Sequence, residues 1–488
     1  MKCDFGAATI EGPFPFVAIN KIELSANINE HVRTMIWGIL ERQSATDAIM
    51  FNHKDAIIKI TLSDGNVFFI GLPLEVEVEE QNGLFQTRIT CVSTSYLLDI
   101  YPHKCSYQDI SLNYADIIKI AYSQEKGSFS RAGKDAYVPI KVPVFQYNET
   151  EWEFTLRMAN KLMTYVIADY RTECPGSVIG QIEGQTISLD KTPFISGYTQ
   201  EKGYFYSCKL SEQLRLGDIV IIQGRKMLVV KVHSVFMDGE FVNTYVFGTK
   251  EGYSVKYHKL SLSGYRLRGS VLDTDGERVK IHLDIDKEQN VDKAYWFKFM
   301  PQTGNAMYCM PQVGTKVMLR FCSNRENSAI VEECWRENGQ TCPEIVDYNN
   351  RYFTTEFGKR MAMLQETIFL EGDENQVKLS DSLGIFLQSR SYTRIVGKEG
   401  ISIMADKKIR LKVPRHIYIT KLNTQSIVDF AGNDINIESA NTNIVTMQDM
   451  TFDKTYPTCE TVPAMTINRR LAGKVLGFVP KKSGRGIV

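Results

Sequence analysis

The most regular signal in the chain is an eight-residue beat in its last quarter. In "GISIMADKKIRLKVPRHIYIT", residues 400–420, an apolar-x-apolar step recurs as Ile401/Ile403, Ile409/Leu411 and Ile417/Ile419. Backwards, the beat runs through Thr393/Ile395, Ile385/Leu387 and Val377/Leu379, with weaker members at Phe369, Met361/Met363 and Phe353. Forwards, it slips by two residues near "NTQSIVDF" and resumes at Ile427, Ile435/Ile437 and Val445. Alternation within each octad predicts a short strand with one apolar face. The polar remainder predicts a corner. Gly384, Gly400 and Gly432 fall near strand starts, where tight corners favour Gly.

Three architectures use such a pattern. An antiparallel meander would leave long exposed edges and tend to curl. A single-chain solenoid would take three octads per coil. Three chains wrapped about one axis would each give one octad per layer and share one narrow core. The third is expected here, as an intertwined trimeric, triple-stranded β-helix. Its core would be Val377, Leu379, Ile385, Leu387, Ile395, Ile401, Ile403, Ile409, Leu411, Ile417, Ile419, Ile435, Ile437 and Val445. Lys407, Lys408 and His416, at corners, would face water.

Residues 264–336 change period. Strand-like runs alternate with the turn signals "DTDGE", "QTGN" and "PQVGT". About five short strands in such a length suit a small barrel of the OB type. The order is a Gly-x-Val strand (Gly269, Val271), a "DGERVKI" strand, an aromatic "YWFKF" strand, then "MPQVGTKVMLRF" and "SAIVEE". This order resembles the OB barrel of VgrG-type spike proteins of type VI secretion and of the related hubs of contractile phage tails. Its most specific element is P-x-V-G-x-x-V-x-x-x-F: Pro311, Val313, Gly314, Val317 and Phe321.

A second resemblance lies upstream. "VFQYNETEWEFTLRMANKLM" is similar to the family's Gln-Tyr-x-Glu-Thr helix start, here Gln146, Tyr147, Glu149 and Thr150. The residues also read without the family. Thr150 and Glu153 have capping-box spacing, and Trp152, Leu156, Ala159 and Met163 share one helical face. "CSYQDISLNYADIIKIAY" predicts another helix, capped by Asn113, with Ile117, Ile118 and Ala121 inward. Glu149, Glu151 and Glu153 are read as complements of a helix N-terminus rather than as catalytic acids. Finally, "DGNVFFIGLPLEVEVEEQNGLFQTRITC" and "QGRKMLVVKVHSVFMDGEFVNTYVF" share one plan: strand, long strand, Asn-Gly or Asp-Gly turn, strand.

Composition narrows the function classes. Lys+Arg and Asp+Glu balance at 57 each, which argues against a chain-wide nucleic-acid or anionic-membrane role. No apolar run is long enough to span a bilayer, and "MKCDFGAATIEG" lacks an export-signal core. The seven histidines make no HxH or HExxH pair, and no GxSxG or P-loop occurs, so no metal, cofactor or catalytic residues are expected. The ten cysteines show no CxxC spacing and read as reduced packing residues. The stretch 451–488 is basic and short for an ordinary enzyme fold.

The expectation is therefore a mainly β chain with two hub β-barrels, a few helices, an OB barrel and the β-helix. The boundaries are a first hub barrel over 1–105 and a helical link with a second barrel over 106–260. The OB barrel takes 261–338, a linker 339–352, the octads 353–450 and a basic tail 451–488. The resemblance implies a non-enzymatic homotrimeric spike that caps a hexameric tube and punctures a target envelope. Implied partners are baseplate proteins and a PAAR-like tip protein or effector. It also implies assembly in the cytoplasm and delivery outside it or into a target cell. A tail-associated cell-wall hydrolase and a receptor-binding tail fibre are the competing readings.

Overall fold

The computed structural model describes residues 2–4, 8–42, 56–182, 186–189, 196–200, 203–210, 213–237, 239–249, 262–301, 307–335, 337, 340–420, 427–431 and 434–438. Strands dominate, and nearly all pair antiparallel. The chain falls into two compact units, Met1–Val346 and Asp347–Val488.

After two short strands, Lys2–Asp4 and Ala8–Glu11, that pair with each other, the first unit makes a hairpin of β1 (Phe16–Asn27) and β2 (Arg33–Leu40). A meander follows: β3 (Ile58–Leu62), β4 (Val67–Gln81) and β5 (Leu84–Ser93), whose last strand returns beside β2. The order is β3-β4-β5-β2-β1. Later the same plan recurs. A hairpin of β6 (Ser196–Gln200) and β7 (Gly203–Leu210) precedes β8 (Ile219–Ile222), β9 (Arg225–Met237) and β10 (Glu240–Gly248). Here the order is β8-β9-β10-β7-β6.

The two copies agree in detail. The β4–β5 turn is Asn82-Gly83, at φ 52 and 79, the left-handed pair that a two-residue hairpin needs. The β9–β10 turn places Gly239 at φ 87 between Met237 and Glu240. Each pairing carries a bulge at the same distance from its turn, between Pro73 and Glu75 in one and between Val229 and Lys231 in the other. The two copies are joined edge to edge. Residues 231–237 of β9 run antiparallel to 21–27 of β1, so one 13-stranded sheet carries both.

Alternation sets the core. Strand β2 exposes and buries residues in turn, with Ile36 and Leu40 inward. Helices α1 (Tyr114–Tyr122) and α2 (Glu151–Lys161) each begin with a capping box, Asn113/Asp116 and Thr150/Glu153. Ile117, Ile118 and Ala121 are buried, as are Trp152, Leu156 and Ala159. Met163 departs from the helical stripe. It lies beyond the end of α2 at φ 52 and is 63% exposed, because the helix stops before its turn completes the face.

Five strands make the next barrel: β11 (Arg266–Asp275), β12 (Arg278–Leu283), β13 (Phe297–Lys298), β14 (Lys316–Phe321) and β15 (Ala329–Trp335). Their order is β13-β12-β11-β14-β15, and a parallel bridge from Phe299 to Val331 joins the two ends. Val271, Val279, Ile281, Phe297, Val317, Leu319 and Val331 fill it.

The second unit contains the octads. Strands β16 (Arg351–Thr354), β17 (Arg360–Met363), β18 (Thr367–Gly372), β19 (Asn375–Ser380) and β20 (Gly384–Gln388) form an antiparallel meander. A further meander takes β21 (His416–Thr420), β22 (Ile427–Ala431) and β23 (Asp434–Glu438). Residues 389–415 form no strand. Within one chain, consecutive octads therefore pair with each other directly. The weak member Phe369 is out of phase. Leu364 N–H donates to Thr367 O at 2.8 Å, closing a tight turn that shifts the beat by one residue. Ile368 and Leu370 then take the shared face, opposite Met363 and Met361.

Candidate functional site

Two features gather the residues singled out from sequence. One is the joint between hub and barrel in the first unit. The other is an uncovered apolar face in the second.

At the joint, the strand before α2 reaches into the barrel. Phe145 is fully buried among the barrel's core residues, edge-on to Phe321 at 4.8 Å. Tyr147 meets Tyr265 edge-on at 5.1 Å, with Lys104 Nζ over its ring. Gln146 is buried and donates to Glu149 O at 3.0 Å. Thr150 Oγ1 caps α2 through Glu153 N–H and also donates to Asp99 at 2.5 Å. Glu153 returns the cap to Thr150 N–H.

Glu149 belongs to a buried ion network. Arg157 Nε donates to its carboxylate at 2.8 and 3.1 Å, and Arg157 Nη2 at 2.8 Å. Arg157 Nη1 donates to Glu326 of the barrel at 2.9 Å, and Lys161 Nζ also bonds Glu326. Burial alone would raise the Glu326 carboxyl pKa. The Arg157 and Lys161 charges outweigh burial and hold it below the usual carboxylate range. A second pin lies nearby. Ser106 N–H and hydroxyl both donate to Asp286 of the barrel, and the Gln108 amide donates to Ile281 O at 3.2 Å. Here burial dominates, and the Asp286 carboxyl titrates above its ordinary value.

A Ser–His–Asp arrangement that the sequence did not suggest sits behind α2. His31 Nδ1 is 2.9 Å from Ser95 Oγ, and its Nε2 is 3.4 Å from Asp99. The His31 ring tilts against Trp152 at 4.2 Å. Ser95 is 0% exposed, so no substrate carbonyl can reach its hydroxyl. The group ties β1–β2, α2 and the Thr94–Asp99 turn together. Glu151, buried, pairs with His103 at 2.5 Å.

The barrel motif is built around close approach. A Cβ on Gly269 would lie 2.5 Å from His282 O, so only Gly fits. Val271, Pro311, Val317 and Phe321 are buried. Gly314 turns at φ 86, while Val313 is 66% exposed at that turn.

In the second unit, register aligns the octad residues into rows. Leu370 faces Val377, which faces Leu387; Ile368 faces Leu379, which faces Ile385. Met361 and Met363 extend the rows, and Phe353 faces Met361. All lie on one side of the meander. Val377 is half-buried, while Leu379, Leu387 and Ile385 are 39%, 59% and 72% exposed. Ile395, Ile401, Ile403, Ile409 and Leu411 are exposed along 389–415. Ile417 is half-buried opposite Phe430, and Ile419 is exposed opposite Val428. Ile435 and Ile437 lie on β23, and Val445 lies outside the described residues. Lys407 and Lys408 are exposed. His416 sits at the start of a strand rather than in a corner, stacked on Tyr418 and 3.4 Å from the buried Asp429.

No protein-family model matches the chain, and no curated protein matches it in sequence. Solved structures do resemble it. The c3393 protein of E. coli is described as a component of the type VI secretion system with structural similarity to the T4 tail proteins gp27 and gp5. It aligns at 12% identity and TM-score 0.48, over 67% of this chain and all but 1% of its own, the covered share being 99%. The Francisella PdpA–VgrG complex aligns at 10% identity and TM-score 0.48, over 78% of this chain and 87% of the other. A 43 kDa tail protein of a Shewanella oneidensis prophage aligns at 9% identity and TM-score 0.40, over 51% of this chain and 100% of its own. At these identities the likeness concerns the fold alone.

Proposed function

We propose that the chain is the hub-and-spike subunit of a contractile injection machine and works as a homotrimer. The observation that carries this reading is the uncovered double row of apolar side chains along the octads. Burying such a side chain fully is worth roughly 1.5–3 kcal/mol, so a row of them left in water calls for a partner. A face repeating along the chain is best matched by the same face on identical chains. Three copies around one axis would enclose every row.

The duplicated hub supports the same reading. Three chains with two copies each present six similar surfaces, which suits a six-fold tube. The ion network at the hub–barrel joint would carry axial load from tube to spike. The spike would stay stiff and concentrate force at a small tip, where a PAAR-like protein or effector could sit. The role is mechanical, and the driving energy would come from a contracting sheath.

Electron microscopy of the purified full chain tests this. The expected particle has three-fold symmetry, a six-lobed ring at one end and a narrow stalk at the other. Particles without three-fold symmetry would rule the reading out.

A further inference from the structure

Each hub copy has two distinctive edges. One is the outer strand of its hairpin, β1 or β6. The other is the turn-side half of its long strand, β4 or β9, past the end of the short strand β3 or β8. Within the chain, the β1 edge already fills the β9 edge, with Lys21–Asn27 against Lys231–Met237. Two edges remain: residues 75–81 of β4, and strand β6. Among the described residues neither has a strand on its outer side. Open edges present unpaired N–H and C=O groups, which pair readily with another strand.

We propose that β6 of one chain adds to the open half of β4 on another, repeating between chains the contact that β1 and β9 make within one. The matching bulges and turns fix the register. Counted from the turns, Glu79 corresponds to Val235. Followed through the two hairpins, Ser196 corresponds to Glu23. Val235 lies opposite Glu23 in the chain, so Glu79 of one chain lies opposite Ser196 of the next. Val78–Gly197, Glu77–Tyr198, Val76–Thr199 and Glu75–Gln200 follow in step.

Charge favours this partner over the alternative. Two β4 edges would set Glu75, Glu77, Glu79 and Glu80 against their own kind, and like charges face to face destabilise a strand pair. Strand β6, "SGYTQ", carries no charge and brings no such repulsion. The contact is heterologous, since each chain gives one edge and receives the other, and such contacts close into rings when the rotation allows. The number of chains in that ring rests on the proposed trimer; the pairing itself does not.

Glu79→Cys combined with Ser196→Cys, both at exposed positions, tests it in the full chain. Mild oxidation is expected to give covalent species of two and then three chains on a non-reducing gel, with neither single substitution doing so. Glu79→Cys with Gln200→Cys, four positions out of register and about 13 Å away, is expected to cross-link several-fold less. An oligomer that shows no cross-link, or equal cross-links for both pairs, overturns the strand addition while leaving the trimer standing. A monomer at every concentration overturns both.

Discussion

Arg157 of the hub helix and Glu326 of the barrel meet at 2.9 Å with both side chains more than nine-tenths buried. The contact joins segments 169 residues apart, and the other side of Arg157 holds Glu149. A buried pair of this kind adds little over an apolar pair, but breaking it strands a charge.

Glu326→Ala therefore leaves Arg157 and Lys161 short of a partner. The expected loss is about 3–5 kcal/mol, read by chemical denaturation. Replacing Arg157, Glu149 and Glu326 together by apolar residues of similar size is expected to cost less than Glu326→Ala alone.

The same carboxylate sets a pH dependence. Its folded pKa lies below the ordinary value, so its contribution is complete above the unfolded carboxylate pKa. As pH falls through the folded pKa that contribution is lost. The expected result is an acid-side drop in stability that flattens in Glu326→Gln. Asp286 acts in the opposite sense, because its raised pKa means that ionisation costs stability as pH rises. Asp286→Asn is accordingly expected to steepen the acid-side drop.

Gly269→Ala places a methyl group 2.5 Å from His282 O. Strand β11 must move, at a cost of about 1–3 kcal/mol in unfolding free energy. Gly83→Val at the β4–β5 turn costs a similar amount, about 1–2 kcal/mol, because Gly83 holds φ 79. Thermal unfolding of the two variants checks both.

The effect at Gly83 was legible in the sequence because it is local, whereas the close approach of Gly269 to His282 lies across two strands and was not. Asn82-Gly83, the Asn113 cap, the capping pair Thr150/Glu153 and the apolar faces of both helices are set by neighbours a few residues apart. The octad beat was legible for the same reason, except at Phe369, where one tight turn moved the phase. Long-range meetings were not. Nothing near Glu326 in sequence points to Arg157, and Ser95, His31 and Asp99 form no motif. The β1–β9 pairing was hidden too, since a strand's periodicity tells which face is buried and not which strand lies beside it.

The octad rows give the sharpest distinction between folding and assembly. Ile385→Lys with Leu387→Lys puts charge on positions exposed in one chain, 72% and 59%. The substitutions are expected to leave the first unit's unfolding midpoint unchanged and to lower the oligomeric state. Urea denaturation followed by Trp fluorescence, beside light scattering, separates the two effects.

The central claim is that three chains share one core. Sedimentation of the full-length protein over a range of concentrations tests it most directly. The account predicts a single species at three times the 55.5 kDa chain mass. A monodisperse monomer would contradict it.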